Sequence, residues 1–190
     1  MFPVEAFQAT LVKAARILQD LAIPFHLTGG ITSVTYGEPR LTQDVDIVLE
    51  PETTRAHRGA LLERMRAVGF LVDEPAARVS IEEGRLFQAL DVAEGLKLDF
   101  YPRQLVPGEL SRSSDFELFA GVTLPIVSLP DAIVSKLVWI QRGSHKSRRD
   151  VRSMWARTTA TDRATTDELA SLLHLDDLLQ CVLSELDELD

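Results

Sequence analysis

The chain has 190 residues and a mass of 21.1 kDa, with 45% hydrophobic and 26% charged residues, the balance of a single globular domain that buries its own core. The single cysteine, Cys181, excludes an internal disulfide, no Cys/His cluster offers a structural zinc site, and no apolar run is long enough to span a bilayer. Net charge is −9, but residues 162–190 carry nine acids and one base, so the rest is near neutral and a polyanionic substrate is not excluded.

In chain order, apolar residues at helical spacing predict a helix over 7–21, stopped by Pro24. A short buried strand follows over 25–28, then Gly29-Gly30, a short helix over 31–36 and a turn at 37–39. Residues 45–49 read as an apolar strand and 53–68 as an amphipathic helix ended by Gly69. Strands are expected over 79–81, 86–92, 96–101, 116–119 and 122–127. The pattern then turns helical, from Pro130 to about Gln141, over 147–155, and twice within 166–189. Too many strands follow one another without a crossover helix for a doubly wound fold. The expected class is α+β, a mixed β-sheet flanked by helices with a C-terminal helical cluster. The expected division is a core over 1–128 and a helical region over 129–190 packed on it.

The segment 27–50 carries the chemistry. Asp44 and Asp46 are two apart, which on a strand puts both carboxylates on one face while Val45 and Ile47 face the core. Paired carboxylates repel unless a cation lies between them, and oxygen donors suit Mg²⁺ or Mn²⁺. The competing reading is two solvated acids at a strand entrance. Gly29-Gly30, between a strand and a helix, lets backbone N–H groups approach a phosphate. Asp99, alternating with Leu98 and Phe100 on a later strand, would complete a three-carboxylate site and act as general base. His26 reads as a core histidine, and Trp139, Trp155 and Phe119 as core aromatics. Lys136 lies on a helix whose apolar side is Ile133, Leu137 and Ile140, where a snorkelling surface lysine would look the same. Residues 142–157 hold six bases against Asp150 alone, either a solvated helix face or a footprint for nucleic acid.

Gly29-Gly30, thirteen intervening residues, Asp44-Val45-Asp46 and a later strand aspartate resemble the nucleotidyltransferase superfamily of DNA polymerase β-like enzymes. Arg40-Leu41-Thr42-Gln43-Asp44 resembles the Arg-x-Thr-x-Asp form of its small bacterial members. Residues 128–137 and 146–151 look like the corresponding regions of AbiEii-type nucleotidyltransferases, which include toxins of toxin–antitoxin pairs. The resemblance implies a nucleotidyltransferase-like fold and metal-dependent transfer of a nucleoside monophosphate from an NTP to an acceptor hydroxyl. It implies Mg²⁺ at Asp44, Asp46 and Asp99, nucleotide contacts from Gly29, Gly30, Ser33, Lys136 and Asp150, an acceptor such as tRNA or other RNA, and an antitoxin protein as partner. Gly30 stands where many members have Ser, so a side-chain hydroxyl contact to phosphate is either missing or moved to Thr32 or Ser33. With no basic n-region at the N-terminus and no apolar span, a cytoplasmic protein without a membrane partner is expected. The alternative is a catalytically silent module of the same fold that binds a protein or nucleic acid; a metal-dependent phosphohydrolase is a third reading.

Overall fold

In this computed structural model, which describes residues 4–37 and 44–185, helix α1 (Val4–Asp20) leads into strand β1 (Phe25–Thr28) and helix α2 (Gly30–Tyr36). The predicted turn begins with the Gly37 N–H donating to the Ser33 carbonyl; Glu38, Pro39 and the 40–43 run lie outside the described residues. Strand β2 (Asp44–Leu49), helix α3 (Pro51–Ala67), strand β3 (Phe70–Leu71) and helix α4 (Glu74–Glu82) follow. Next come strands β4 (Phe87–Asp91) and β5 (Leu96–Tyr101), the one-turn helix α5 (Glu109–Arg112), and strands β6 (Ser114–Phe119) and β7 (Val122–Ile126). Helices α6 (Leu129–Gln141), α7 (Lys146–Trp155), α8 (Ala160–Leu172) and α9 (Asp176–Ser184) complete the described chain.

The expected strand at 79–81 is a correction. Val79 and Ile81 fit a two-residue period, but Asp73 caps a helix there by accepting the Ala76 N–H at 3.1 Å, and Pro75 sits in its first turn. Ala77 and Ile81, four apart, are the buried pair, while Val79 faces out. The short β3 and α5 went unread because two and four residues carry no period.

The sheet has the order β3-β4-β5-β2-β1-β7-β6 and is mixed. β2 runs antiparallel to β1 and parallel to β5, and β1 is parallel to β7. Register across its centre sorts the two faces. Leu27, Ile47, Phe100 and Phe87 are successive partners across β1, β2, β5 and β4. All four are buried in the apolar cluster that takes Leu11 and Leu18 from α1 and Leu61 and Met65 from α3, with Phe87 and Phe100 stacked at 5.0 Å. On the other face the same partners run Thr28, Asp46, Asp99 and Gln88, a polar row. A slip of one residue would bury that row and expose the core, so the apolar face pins the register of the polar one.

A second apolar cluster joins Ile133 and Leu137 of α6, Val151 and Met154 of α7, Ala170 of α8 and Leu179 of α9, with Val106 and Val127. Tyr36 touches both clusters, and its hydroxyl donates to the Val127 carbonyl at 3.0 Å, tying the end of α2 to the chain entering α6. Among the described residues no helix is long and apolar enough to cross a membrane.

Candidate active site

Gly29 and Asp46 are in contact by construction. Thr28 and Asp46 are partners across β1 and β2, so the turn after Thr28 passes over the Asp46 carboxylate. Gly29 has φ +68° and ψ −125°, backbone that side chains disfavour. A Cβ there would lie 1.7 Å from Asp46 Oδ2. Only glycine brings the turn this close to the carboxylate. The Thr32 hydroxyl donates to the Gly29 carbonyl at 2.7 Å and fixes the turn from within α2. Tyr101, two residues beyond Asp99, donates its hydroxyl to Asp46 Oδ1 at 3.2 Å. Burial, then the nearby Asp46 and Asp99 charges, hold its phenol well above the ordinary value, so it stays a donor.

Asp99 is the direct neighbour of Asp46 in register and is buried. Its carboxylate accepts from Gln88 Nε2 at 3.0 Å and from Lys97 Nζ at 3.2 Å. Asp44 opens β2 opposite Lys97; its side chain lies outside the described part of the structure. Among the described residues no three His, Cys, Asp or Glu side chains form a group that could hold a metal ion.

The cleft over this face is walled by α6 and the start of α7. Its lining includes Thr28, Gly29, Gly30, Asp46 and Tyr101 on the sheet side and Ser135, Lys136, Trp139, Ser144, Lys146 and Ser147 on the helix side. Lys136 is no snorkelling surface lysine. It is buried and its ammonium donates to Asp150 Oδ2 at 2.9 Å, with Asp150 buried as well. α6 points Lys136 inward because Ser128 caps it and Asp131, at its third position, is gripped by Arg112 through Nη2 at 2.6 Å and Nε at 3.0 Å. Trp139, one turn beyond Lys136, is likewise no core residue. It stands in the cleft wall, edge-to-face with Tyr101 at 6.4 Å and under the Arg142 guanidinium at 5.5 Å.

Of the residues expected to bind nucleotide, Gly29, Gly30 and Lys136 share this cleft, and Asp150 stands behind Lys136. Ser33 does not line it; its Oγ is buried without a hydrogen-bond partner. Of the carboxylates, Asp46 lines the cleft and Asp99 lies beside it in the sheet.

Glu109 escaped the sequence, and His26, read there as a core histidine, lies buried beside it. Glu109 lines the cleft and is 1% exposed, with Oε1 accepting the Leu105 N–H at 2.6 Å. Burial raises its carboxyl to about 7, against the Leu105 hydrogen bond and with the Asp131 charge. His26 is fully buried, its Nε2 3.7 Å from Glu109 Oε2 and neither ring nitrogen hydrogen-bonded. Burial lowers it to about 4, against the pull of Asp131. These residues are 83 positions apart, and no local pattern marks Glu109 beyond Gly108, which turns the chain into α5 with φ +79°.

The fold that carries this cleft is shared by solved nucleotidyltransferase-like structures. The solution structure of the antibiotic-resistance factor ANT(2'')-Ia shares the fold, with a TM-score of 0.58 at 15% identity over 92% of this chain and 95% of that one. An antigenic nucleotidyltransferase-like protein from Paracoccidioides brasiliensis gives a TM-score of 0.53 at 15% identity, over 95% and 94%. No curated protein matches the sequence significantly. The model of the family described as nucleotidyl transferase AbiEii toxin, type IV toxin–antitoxin system, matches residues 11–157, and the chain belongs to that family.

Proposed function

We propose that this protein transfers a nucleoside monophosphate from an NTP to an acceptor hydroxyl and releases pyrophosphate. The observation that carries the reading is the approach of the Gly29 backbone to the Asp46 carboxylate, across one cleft from Lys136. The N–H groups of Gly29 and Gly30 cradle the triphosphate, and Lys136, oriented by Asp150, neutralises its charge. The oxygen donors Asp44, Asp46 and Asp99 fit a hard divalent cation, Mg²⁺ or Mn²⁺. Such a cation supplies charge stabilisation on the attacking and leaving oxygens. Asp99, held in place by Lys97 and Gln88, takes the proton of the acceptor hydroxyl. Tyr101 keeps Asp46 oriented. Residues 1–128 form the catalytic core in this reading, and residues 129–190 the helical region that closes the cleft.

For the acceptor we favour an RNA end. Lys146, at the start of α7, lines the cleft, and Arg142, Arg149 and Arg157 lie exposed on or beside the same helix. The family makes an antitoxin protein the expected partner. The test needs no acceptor: melting temperature with each NTP, with and without Mg²⁺, for wild type and the Asp44→Ala/Asp46→Ala variant. A metal-dependent rise lost in the variant is expected. No rise with any NTP would turn the reading to a silent binding module.

A further inference from the structure

Trp139 has no part in the phosphate chemistry, and its position runs against its hydrophobicity. From Pro130 to Ile140 every residue of α6 is buried except Trp139. The largest side chain of the helix is the one left partly open, and it opens into the cleft. Charge gives way to apolar surface on both walls. On the sheet, Val48 and Tyr101 are partners in register two residues past Asp46 and Asp99, and both line the cleft. On α6, Trp139 follows Lys136 by three residues, almost one turn. The two rings meet edge-to-face at 6.4 Å, with Tyr101 held by its hydrogen bond to Asp46 Oδ1. The exposed Arg142 guanidinium lies 5.5 Å from the centroid of the indole.

We infer that Trp139 is the stacking platform for the nucleobase: a nucleoside triphosphate lies along the cleft with its phosphates at Gly29, Gly30 and Lys136 and its base against the indole. The ligand is divided as the cleft is, into an anionic end and a flat ring. An indole offers a rigid π-face to any base, and a guanidinium plane stacks on a base in the same way. Arg142 already lies over the indole as a cation–π partner, and its exposed side chain can move out to cover the base from the other side. Tyr101 joins the two ends of the site, since its hydroxyl orients Asp46 while its ring bounds the space beside Trp139. A tryptophan that only filled the core would be covered like its neighbours on α6. One that only braced Tyr101 would affect ligands with and without a base alike. This role rests on the nucleotide-binding reading of the cleft.

The chain has two tryptophans, and Trp155 packs on the second apolar cluster under Arg163. Trp155→Phe therefore leaves Trp139 as the sole indole reporter. The test titrates this variant with each of the four NTPs and with inorganic tripolyphosphate, all with Mg²⁺, while following tryptophan emission. Calorimetry measures the same affinities for wild type, Trp139→Phe and Trp139→Leu. Each NTP should quench the emission, and tripolyphosphate, which carries phosphates and no base, should not. NTP affinity should fall about tenfold in Trp139→Leu and less in Trp139→Phe, which keeps an aromatic face, with tripolyphosphate affinity alike in all three. If Trp139→Leu does not fold, Trp139→Phe decides by emission: it binds NTP with the quench lost. Emission unchanged by bound NTP, or Trp139→Leu weakening NTP and tripolyphosphate equally or neither, overturns this inference and leaves the nucleotide reading intact. No binding of any NTP to wild type overturns both.

Discussion

At the scale of single residues, the account turns on Gly29 and on the Lys136–Asp150 pair. Gly29→Ala brings a Cβ to 1.7 Å from Asp46 Oδ2 and forces an L residue into φ +68°, two separate penalties. The expected loss is about 2–3 kcal/mol by chemical denaturation, together with the nucleotide response. In an Asp46→Ala background the carboxylate clash is gone, leaving the 2.8 Å approach to the residue-46 Cβ and the backbone penalty of about 1 kcal/mol, so the double-mutant cycle should be non-additive. Additivity would mean the turn does not sit on Asp46. Lys136→Met removes one partner of a buried ion pair, at a cost of about 3–5 kcal/mol. Lys136→Met/Asp150→Leu should recover part of that stability yet show no thermal shift with NTP, which separates binding from folding. The glycines and acids were legible because each is an unusual residue for its local structure. Trp139 was not: a tryptophan beside Ile133, Leu137 and Ile140 looks like core until the sheet opposite is seen to bear Tyr101 and Asp46.

Among the elements, the sharpest test lies where α1 meets β4. Asp91 is fully buried and accepts from Thr10 Oγ1 at 2.7 Å and Lys13 Nζ at 2.5 Å, one helical turn apart on α1. Its own burial works against the charge, but the Lys13 and Thr10 hydrogen bonds outweigh it and hold the carboxyl below the ordinary value. Such a group stabilises the fold above the unfolded-state pKa of about 4 and loses that contribution as pH falls through its depressed value. Asp91→Asn is therefore expected to be less stable than wild type at pH 7, with the gap closing in acid; a gap that is constant from pH 7 to pH 3 would refute the ionic role of the clamp. Long elements were readable from the sequence, since α1, α3 and α6 repeat an apolar side over three or more turns. α4 was misread because in nine residues a two-residue and a four-residue period share Ile81, and the decisive signal was the Asp73 cap rather than the apolar spacing.

Over the whole molecule, stability against pH should show two opposed contributions. His26, lowered from 6.5 to about 4, favours the fold above pH 6.5 and loses that as pH falls toward 4. Glu109, raised from 4.5 to about 7, favours it below 4.5 and loses that as pH rises toward 7. Between pH 4.5 and 6.5 the two slopes offset, and Glu109→Gln should unmask a stability that rises with pH by up to about 1.4 kcal/mol per unit. A variant whose profile parallels wild type would show that Glu109 is ionised in the fold throughout. This contact could not be read from the sequence: the strand–Gly-Gly–helix–strand motif is local, whereas His26 of β1 and Glu109 of α5 come together only in the folded chain. The central claim, nucleotidyl transfer, is tested most directly by incubating the protein and Mg²⁺ with NTP labelled at either the α- or the γ-phosphate, in the presence of total RNA. The account predicts α-label on RNA, γ-label released in pyrophosphate, and neither with Asp46→Asn. Transfer of the γ-label, or free nucleotide formed without an acceptor, would contradict it.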